Sequence, residues 1–226
     1  MPKRLQREIE KLKKKILVLG AVVEERVGLA LKAMKERDAK LAEQVIAGDI
    51  DIDQMEVDLE EECLKILVLH QPVAVDLRFI IAVLKINNDL ERIGDLAVNI
   101  AERGAFLATQ HPVEESLDFP TMFDKTRQML KKSLDALVNM DTDIAFEVLA
   151  EDDEVDKMNQ AMYLKIEEAI LYHPEQIKAY IHLLSTSRHL ERIADHATNI
   201  AEDVIYMITG DIVRHSAEDY SKLKKP

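Results

Sequence analysis

The sequence predicts an all-α fold, a tandem duplication of an antiparallel three-helix bundle built from six long helices. Three observations predict it. The 226 residues contain only six prolines and six glycines, too few to supply the turns of a sheet protein. Between those breakers the apolar residues recur every three or four positions, and no run alternates with a period of two. The two halves also repeat one another. Residues 90–102 read LERIGDLAVNIAE and residues 190–202 read LERIADHATNIAE, identical at ten of thirteen positions at an offset of one hundred. Upstream, Asp38, Leu41, Ala42, Val45, Ala47, Asp49, Ile52, Asp53 and Met55 recur 103 residues later, from Asp141 to Met158.

The elements follow in order. Leu5, Ile9, Leu12, Ile16, Leu19, Val23, Val27, Ala30 and Met34 mark one long helix with a narrow apolar stripe. Asp38 is the N-cap residue of the next, which Leu41, Val45, Ile52, Met55, Leu59, Ile66 and Leu69 carry to the break at Pro72. A third helix runs from about Val75 to Ala108. The second half gives helices at about Leu117 to Asn139, Asp141 to Tyr172 and Glu175 to Thr209, with Gly210 as C-cap. Pro112 and Pro120 bracket the one linker-like stretch, so the expected domains are residues 1–110 and 115–226. An amphipathic helix buries its stripe only against others, which makes each half a three-helix bundle.

Composition narrows the function. Lys and Arg number 30 against 43 Asp and Glu, a net charge of −13 that disfavours nucleic acid and suits cations. The single cysteine, Cys63, excludes an intrachain disulfide and a Cys-rich zinc site, fits a reducing compartment, and is expected to be buried and inert. The longest apolar run, Ile16 to Val23, is eight residues, against the ~20 of a spanning helix. The N-terminus is charged throughout and lacks the apolar core of a signal peptide. A cytoplasmic location is expected. The basic cluster from Lys3 to Lys15 is read first as a solvated face balanced by Glu8 and Glu10.

Residues four apart share a helix face. Asp49 with Asp53 and Glu91 with Asp95 are such pairs, and so are Asp152 with Asp156 and Glu191 with Asp195. All four pairs survive the duplication, whereas Glu56 becomes Asn159 and Glu60 becomes Tyr163. A hairpin turning at Pro72 sets Asp53 level with Glu91 and Asp49 with Asp95. A turn at Pro174 sets Asp156 level with Glu191 and Asp152 with Asp195. Each bundle thus gathers four carboxylates about 28 Å from its turn, at ~1.5 Å per residue. Such a group repels itself unless cations neutralise it. Oxygen-only ligation suits magnesium, calcium, manganese or ferric iron. Arg92 and Arg192 point about 100° from the glutamates they follow and are imperfect partners. Asn99 and Asn199 continue the faces and suit hydrogen bonding beside the carboxylates better than ligation. His189 and His196 flank the second motif but are Asp89 and Leu96 in the first, so neither is expected to be a ligand. No glycine-rich phosphate loop, G-x-S-x-G or Glu-x-x-His signature of a di-iron oxidase is present.

The run from His70 to Ile80, then Asn88-Asp89-Leu90-Glu91-Arg92-Ile93-Gly94-Asp95 and Asn99-Ile100-Ala101-Glu102, resembles the PhoU family of phosphate-transport regulators. So do His189 to Asn199 and the ending Glu202 to Gly210, and the resemblance spans about Leu5 to His215. It implies two three-helix bundles and multinuclear metal clusters, iron or zinc, with manganese or magnesium as further possibilities. Asp49, Asp53, Glu91, Asp95, Asp152, Asp156, Glu191 and Asp195 would be the ligands, with Asn99, Asn199, Arg92 and Arg192 around them. It further implies a non-enzymatic, homodimeric negative regulator that couples the phosphate ABC transporter ATPase to a sensor histidine kinase and reaches the membrane only through partners. A metal-dependent hydrolase and a purely structural helical scaffold are the competing readings of the same residues.

Overall fold

A computed structural model describes residues 3–113 and 117–213. His215 and residues 114–116, the middle of the expected linker, lie outside them. The described residues are helical with no strand. The first half comprises Lys3–Glu36 (α1), Ala39–Ala47 (α2), Asp49–His70 (α3) and Val75–Ala108 (α4), and the second comprises Phe119–Asn139 (α5), Thr142–Tyr172 (α6) and Ile177–Thr209 (α7). A one-turn 3₁₀ segment, Pro174–Gln176, precedes α7, which therefore begins two residues later than its expected start. Six helical rods result, the second being broken into α2 and α3.

The caps and stripes explain the local structure. Asp38 Oδ1 accepts from the amides of Lys40 and Leu41 at 3.0 and 3.1 Å, and Asp141 Oδ1 from those of Asp143 and Ile144 at 2.8 and 3.2 Å. Gly210 ends α7 at φ 86°, a left-handed conformation that glycine adopts without strain. The α1 stripe is buried from Leu5 through Leu12, Ile16, Leu19, Val23 and Val27 to Ala30. Cys63 is fully buried, and desolvation pushes its thiol up to about 12.

The break after Ala47 has a tertiary cause. Arg26 of α1 donates from Nη1 to the carbonyls of Gln44 and Val45 at 3.3 and 3.4 Å. A Cβ on residue 48 would lie 1.8 Å from that nitrogen, so the guanidinium fills the space Gly48 leaves. The equivalent residue, Glu151, continues α6 and pairs with Lys132 at 2.8 Å and Lys125 at 3.6 Å.

Within each half the three rods pack on one another, and the halves join chiefly along α4 and α7, with α1 also meeting α5. α1 and α4 approach closely at Gly104, where an added Cβ would sit 3.3 Å from the Met34 Cα. A backbone atom cannot swing aside. Gly104→Ala is therefore expected to cost about 1–3 kcal/mol through overpacking. Thermal unfolding checks it, and an unchanged midpoint would contradict the close approach.

Candidate metal centre

Each carboxylate cluster forms where the helix pair of a hairpin runs side by side. In the second half α6 presents Asp152 and Asp156 and α7 presents Glu191 and Asp195. Asp156, Glu191 and Asp195 can each place one oxygen such that all three lie within 4.8 Å of one another. Asp152 joins them electrostatically. Burial, and then the charges of Asp156, Asp195, Asp153 and Glu191, push its carboxyl up to about 6. Its Oδ1 is buried without a hydrogen-bond partner. Glu191 is raised by burial, Asp195 and Asp156, and Asp195 by burial and Asp156; Arg192 opposes both shifts. These upward shifts come from burial and from the mutual repulsion of the carboxylates. An orphaned carboxylate oxygen beside three converging carboxylates fits a hard cation.

The first half carries the same four residues in a different balance. Burial raises Asp49, with Asp53 and Asp95 adding to it and Arg26 opposing. Glu91 is raised by burial and Asp95, with smaller contributions from Glu56 and Asp53, against Arg92. Arg92 reaches back further than its 100° offset suggests, with Nε 3.5 Å from Glu91 Oε2 and Nη1 3.8 Å from Asp95 Oδ2. Here a guanidinium already sits against two of the carboxylates. Among the described residues, only the second-half trio meets the 4.8 Å convergence. Asp49 also opens α3, whereas its counterpart Asp152 lies well inside α6.

The asparagines divide. Asn99 Nδ2 donates to its own helix, to the Asp95 carbonyl at 2.8 Å. Asn199 Nδ2 donates to Asp89 Oδ1 of the other half at 3.2 Å. Asp89, which sequence reasoning did not single out, is buried at 8 % exposure and also meets His196 Nδ1 at 2.8 Å. Lys85 of α4 pairs with the buried Asp203 of α7 at 3.1 Å and lies 5.1 Å over the Tyr206 ring. Glu56, one turn from Asp53, is raised by burial, Glu60 and Asp53, and its Oε1 accepts from Asn87 at 3.2 Å. At the other end of the α4–α7 seam, burial followed by Arg103, Arg192 and Arg188 brings His189 down to about 4. These residues are marked by the repeat, where position x of α4 corresponds to x + 100 of α7; the pairing of the halves along those faces has no local signal.

Fold and site together define a duplicated three-helix-bundle protein with a carboxylate-lined helix pair in each repeat. The PhoU domain matches this chain twice, over residues 16–104 and 119–204. It is 39% identical over 212 residues to the phosphate-specific transport system accessory protein PhoU homolog of Aquifex aeolicus, spanning 94% of this chain and 96% of that one. It is 37% identical to the Pseudomonas putida homolog, over 92% of this chain and 82% of that one. The crystal structure of PhoU from Pseudomonas aeruginosa superposes with a TM-score of 0.89 at 35% identity, covering 91% of this chain and 99% of that one. The phosphate transport system regulatory protein PhoU from Streptococcus pneumoniae superposes with a TM-score of 0.82 at 31% identity, covering 92% and 99%. The chain belongs to the PhoU family.

Proposed function

We propose that this chain is an accessory protein of a phosphate transport system and a negative regulator of phosphate uptake and phosphate-starvation signalling. It acts as a cytoplasmic, homodimeric adaptor between the phosphate ABC transporter ATPase and a sensor histidine kinase. The observation that carries the reading is the doubled PhoU domain in a chain whose relatives are named as phosphate-specific transport accessory proteins over more than nine-tenths of its length. Among the described residues no helix is long and apolar enough to cross a membrane. In this proposal the chain meets the membrane through its partners.

The metal belongs to the same proposal. Asp152, Asp156, Glu191 and Asp195 would hold it in the second half, and Asp49, Asp53, Glu91 and Asp95 in the first. When bound, it supplies positive charge that neutralises the carboxylates and ties the two helices of a hairpin together. The chain's own part is to hold these oxygens together against their repulsion, and no catalytic step is assigned to them.

Deleting the gene should leave phosphate-starvation promoters active in phosphate-rich medium, and the tagged protein should co-purify with the transporter ATPase or the kinase. Promoters that stay repressed after deletion, together with metal-dependent phosphoester hydrolysis by the purified protein, would support the hydrolase reading instead.

A further inference from the structure

The basic cluster that opens α1 takes no part in the carboxylate sites. Residues 3–15 carry seven basic residues and two acidic ones, in a chain of net charge −13. They have no helical copy in the second half, because at the offset of 103 α5 begins at the counterpart of Ile16. They also precede the first PhoU domain match, which starts at residue 16. Arg4, Arg7, Lys11 and Lys14 recur at three and four residues and are exposed, so they form one stripe. Acidic neighbours balance it only in part. Glu8 pairs with Lys11 at 3.1 Å and Glu62 with Lys15 at 3.7 Å, while Arg4, Arg7 and Lys14 have no ion-pair partner among the described residues. The placement also works against the helix. The positive end of the helix dipole favours acidic residues, yet α1 has none in its first turn, where Arg4 stands instead.

The stripe ends beside an apolar turn. α1 and α3 run antiparallel, with Lys15 level with Glu62 and Val18 facing Asp58 across a hollow of about 240 Å³. Arg7 and Arg4 are therefore level with His70 to Val73, the turn of the first hairpin. That turn is apolar where turns are ordinarily polar. Val68 and Val73 are 74% exposed, Leu69 70% and Val75 61%. Leu69 continues the α3 row of Asp58, Glu62 and Lys65, which borders the stripe. The backbone of the reversal is strained. Gln71 is left-handed at φ 45°, and Ala74 has φ 50° and ψ −116°, a region that residues with a side chain rarely enter. Pro72 stiffens the turn further, and Val73 stands at its apex. The other hairpin tip lies at the far end of the molecule, because α4 and α7 run antiparallel. It also exposes Leu171 and Tyr172, but its flanks carry Glu167, Glu168 and Glu175 against Lys165 and Lys178.

We propose that the first hairpin tip and the α1 stripe dock directly on an anionic lipid surface. The molecule lies on its α1–α3 side, so that the aliphatic side chains of the turn enter the headgroup layer and Arg4, Arg7, Lys11 and Lys14 lie against lipid phosphates. A protruding aliphatic tip fits a fluid surface that closes around it, whereas a protein partner would have to offer a matching cavity. Charges more than ~10 Å away are screened at ordinary salt, so the acidic remainder of the chain does not cancel the local attraction. The contact departs from the expectation that partners alone bring the chain to the membrane, and it does not rest on the accessory role.

The test is co-sedimentation of the full-length protein with vesicles of phosphatidylcholine alone and of equal parts phosphatidylcholine and phosphatidylglycerol. Chelator is present so that no cation bridges carboxylates to lipid. The parent should bind the phosphatidylglycerol vesicles and not the neutral ones, and binding should fall by about tenfold or more between ~0.05 and ~0.5 M salt. Arg4→Glu with Arg7→Glu should weaken binding by about tenfold or more, and Leu69→Ser with Val73→Ser by a similar factor. All four positions are exposed and acidic residues suit the first turns of a helix, so both variants should keep the parent's helical spectrum. Leu171→Ser with Tyr172→Ser at the other tip should leave binding within about twofold. Absence of binding by the parent, equal binding to neutral vesicles, or undiminished binding by either first-tip variant would overturn the proposal. So would an equal loss in the second-tip variant. Vesicles left unbound while the purified transporter ATPase is bound, and released by Arg4→Glu with Arg7→Glu, would make this face a protein dock; the lipid proposal would fall and the accessory reading would stand.

Discussion

With chelator present, the Asp152→Asn variant is expected to melt higher than the parent at neutral pH and to converge with it below about pH 4. The Asp152 carboxyl is raised from 3.8 to about 6 by burial and then by Asp156, Asp195, Asp153 and Glu191. A carboxyl with a raised folded-state pKa makes the folded chain bind more protons than the unfolded one between those values. Its stabilising effect is complete below the unfolded value and is lost as pH rises through the folded one. Asp49, Glu91, Glu191 and Asp195 are shifted in the same direction. Glu154 is lowered by its hydrogen bond from Lys125 and works in the opposite sense, so the comparison is made between variant and parent rather than across pH alone. For half-buried Asp152 the gain at neutral pH is about 1 kcal/mol after solvent screening, some 2–4 °C. Metal reverses the sign. With a cation at about a hundred times its dissociation constant the parent gains about 2.7 kcal/mol, and Asp156→Ala with Glu191→Ala should gain almost none. A double variant that metal stabilises as much as the parent would contradict the ligand assignment.

The second large effect lies on the seam. Asp89→Ala is expected to destabilise the chain by about 3 kcal/mol, lowering the melting midpoint by some 6–12 °C. The reason is accounting of donors. Asp89 is buried and accepts from Asn199, with His196 Nδ1 at 2.8 Å, and truncation leaves both groups at the seam without that acceptor. Asp89→Ala combined with Asn199→Ala should cost less than the sum of the single changes, because the second removes one of the orphaned donors. Strict additivity would show that the contact contributes nothing.

Much of this was legible in the sequence, for physical reasons. Asp38 could be read as a cap because a short side-chain oxygen before an apolar period serves the first free amides of a helix, and its repeat counterpart Asp141, expected to open its helix, caps it in the same way. The convergence of carboxylates followed from hairpin geometry, since α3 and α4, like α6 and α7, are neighbours in the chain and must run antiparallel. The break at Gly48 was not legible. A glycine inside a helical pattern is tolerated, and what ends α2 is Arg26, on another helix. Nor was the difference between the clusters visible, because Arg92 and Arg192 both follow the glutamate of a shared Leu-Glu-Arg-Ile run, while the guanidinium pairing is seen at Glu91 and Asp95. The seam contacts were hidden for a third reason. Lys85 with Asp203 and Asp89 with His196 join residues 118 and 107 apart, and no spacing rule reaches across two bundles.

The claim that the carboxylate clusters hold metal is tested most directly by elemental analysis of the purified full-length protein, run beside Asp156→Ala with Glu191→Ala and Asp53→Ala with Glu91→Ala. The account predicts bound iron, zinc, manganese or magnesium in the parent, with the greater loss in the second-half variant, where Asp156, Glu191 and Asp195 converge. A parent that stays metal-free after incubation with each of these ions, or variants that retain the parent's full content, would contradict it.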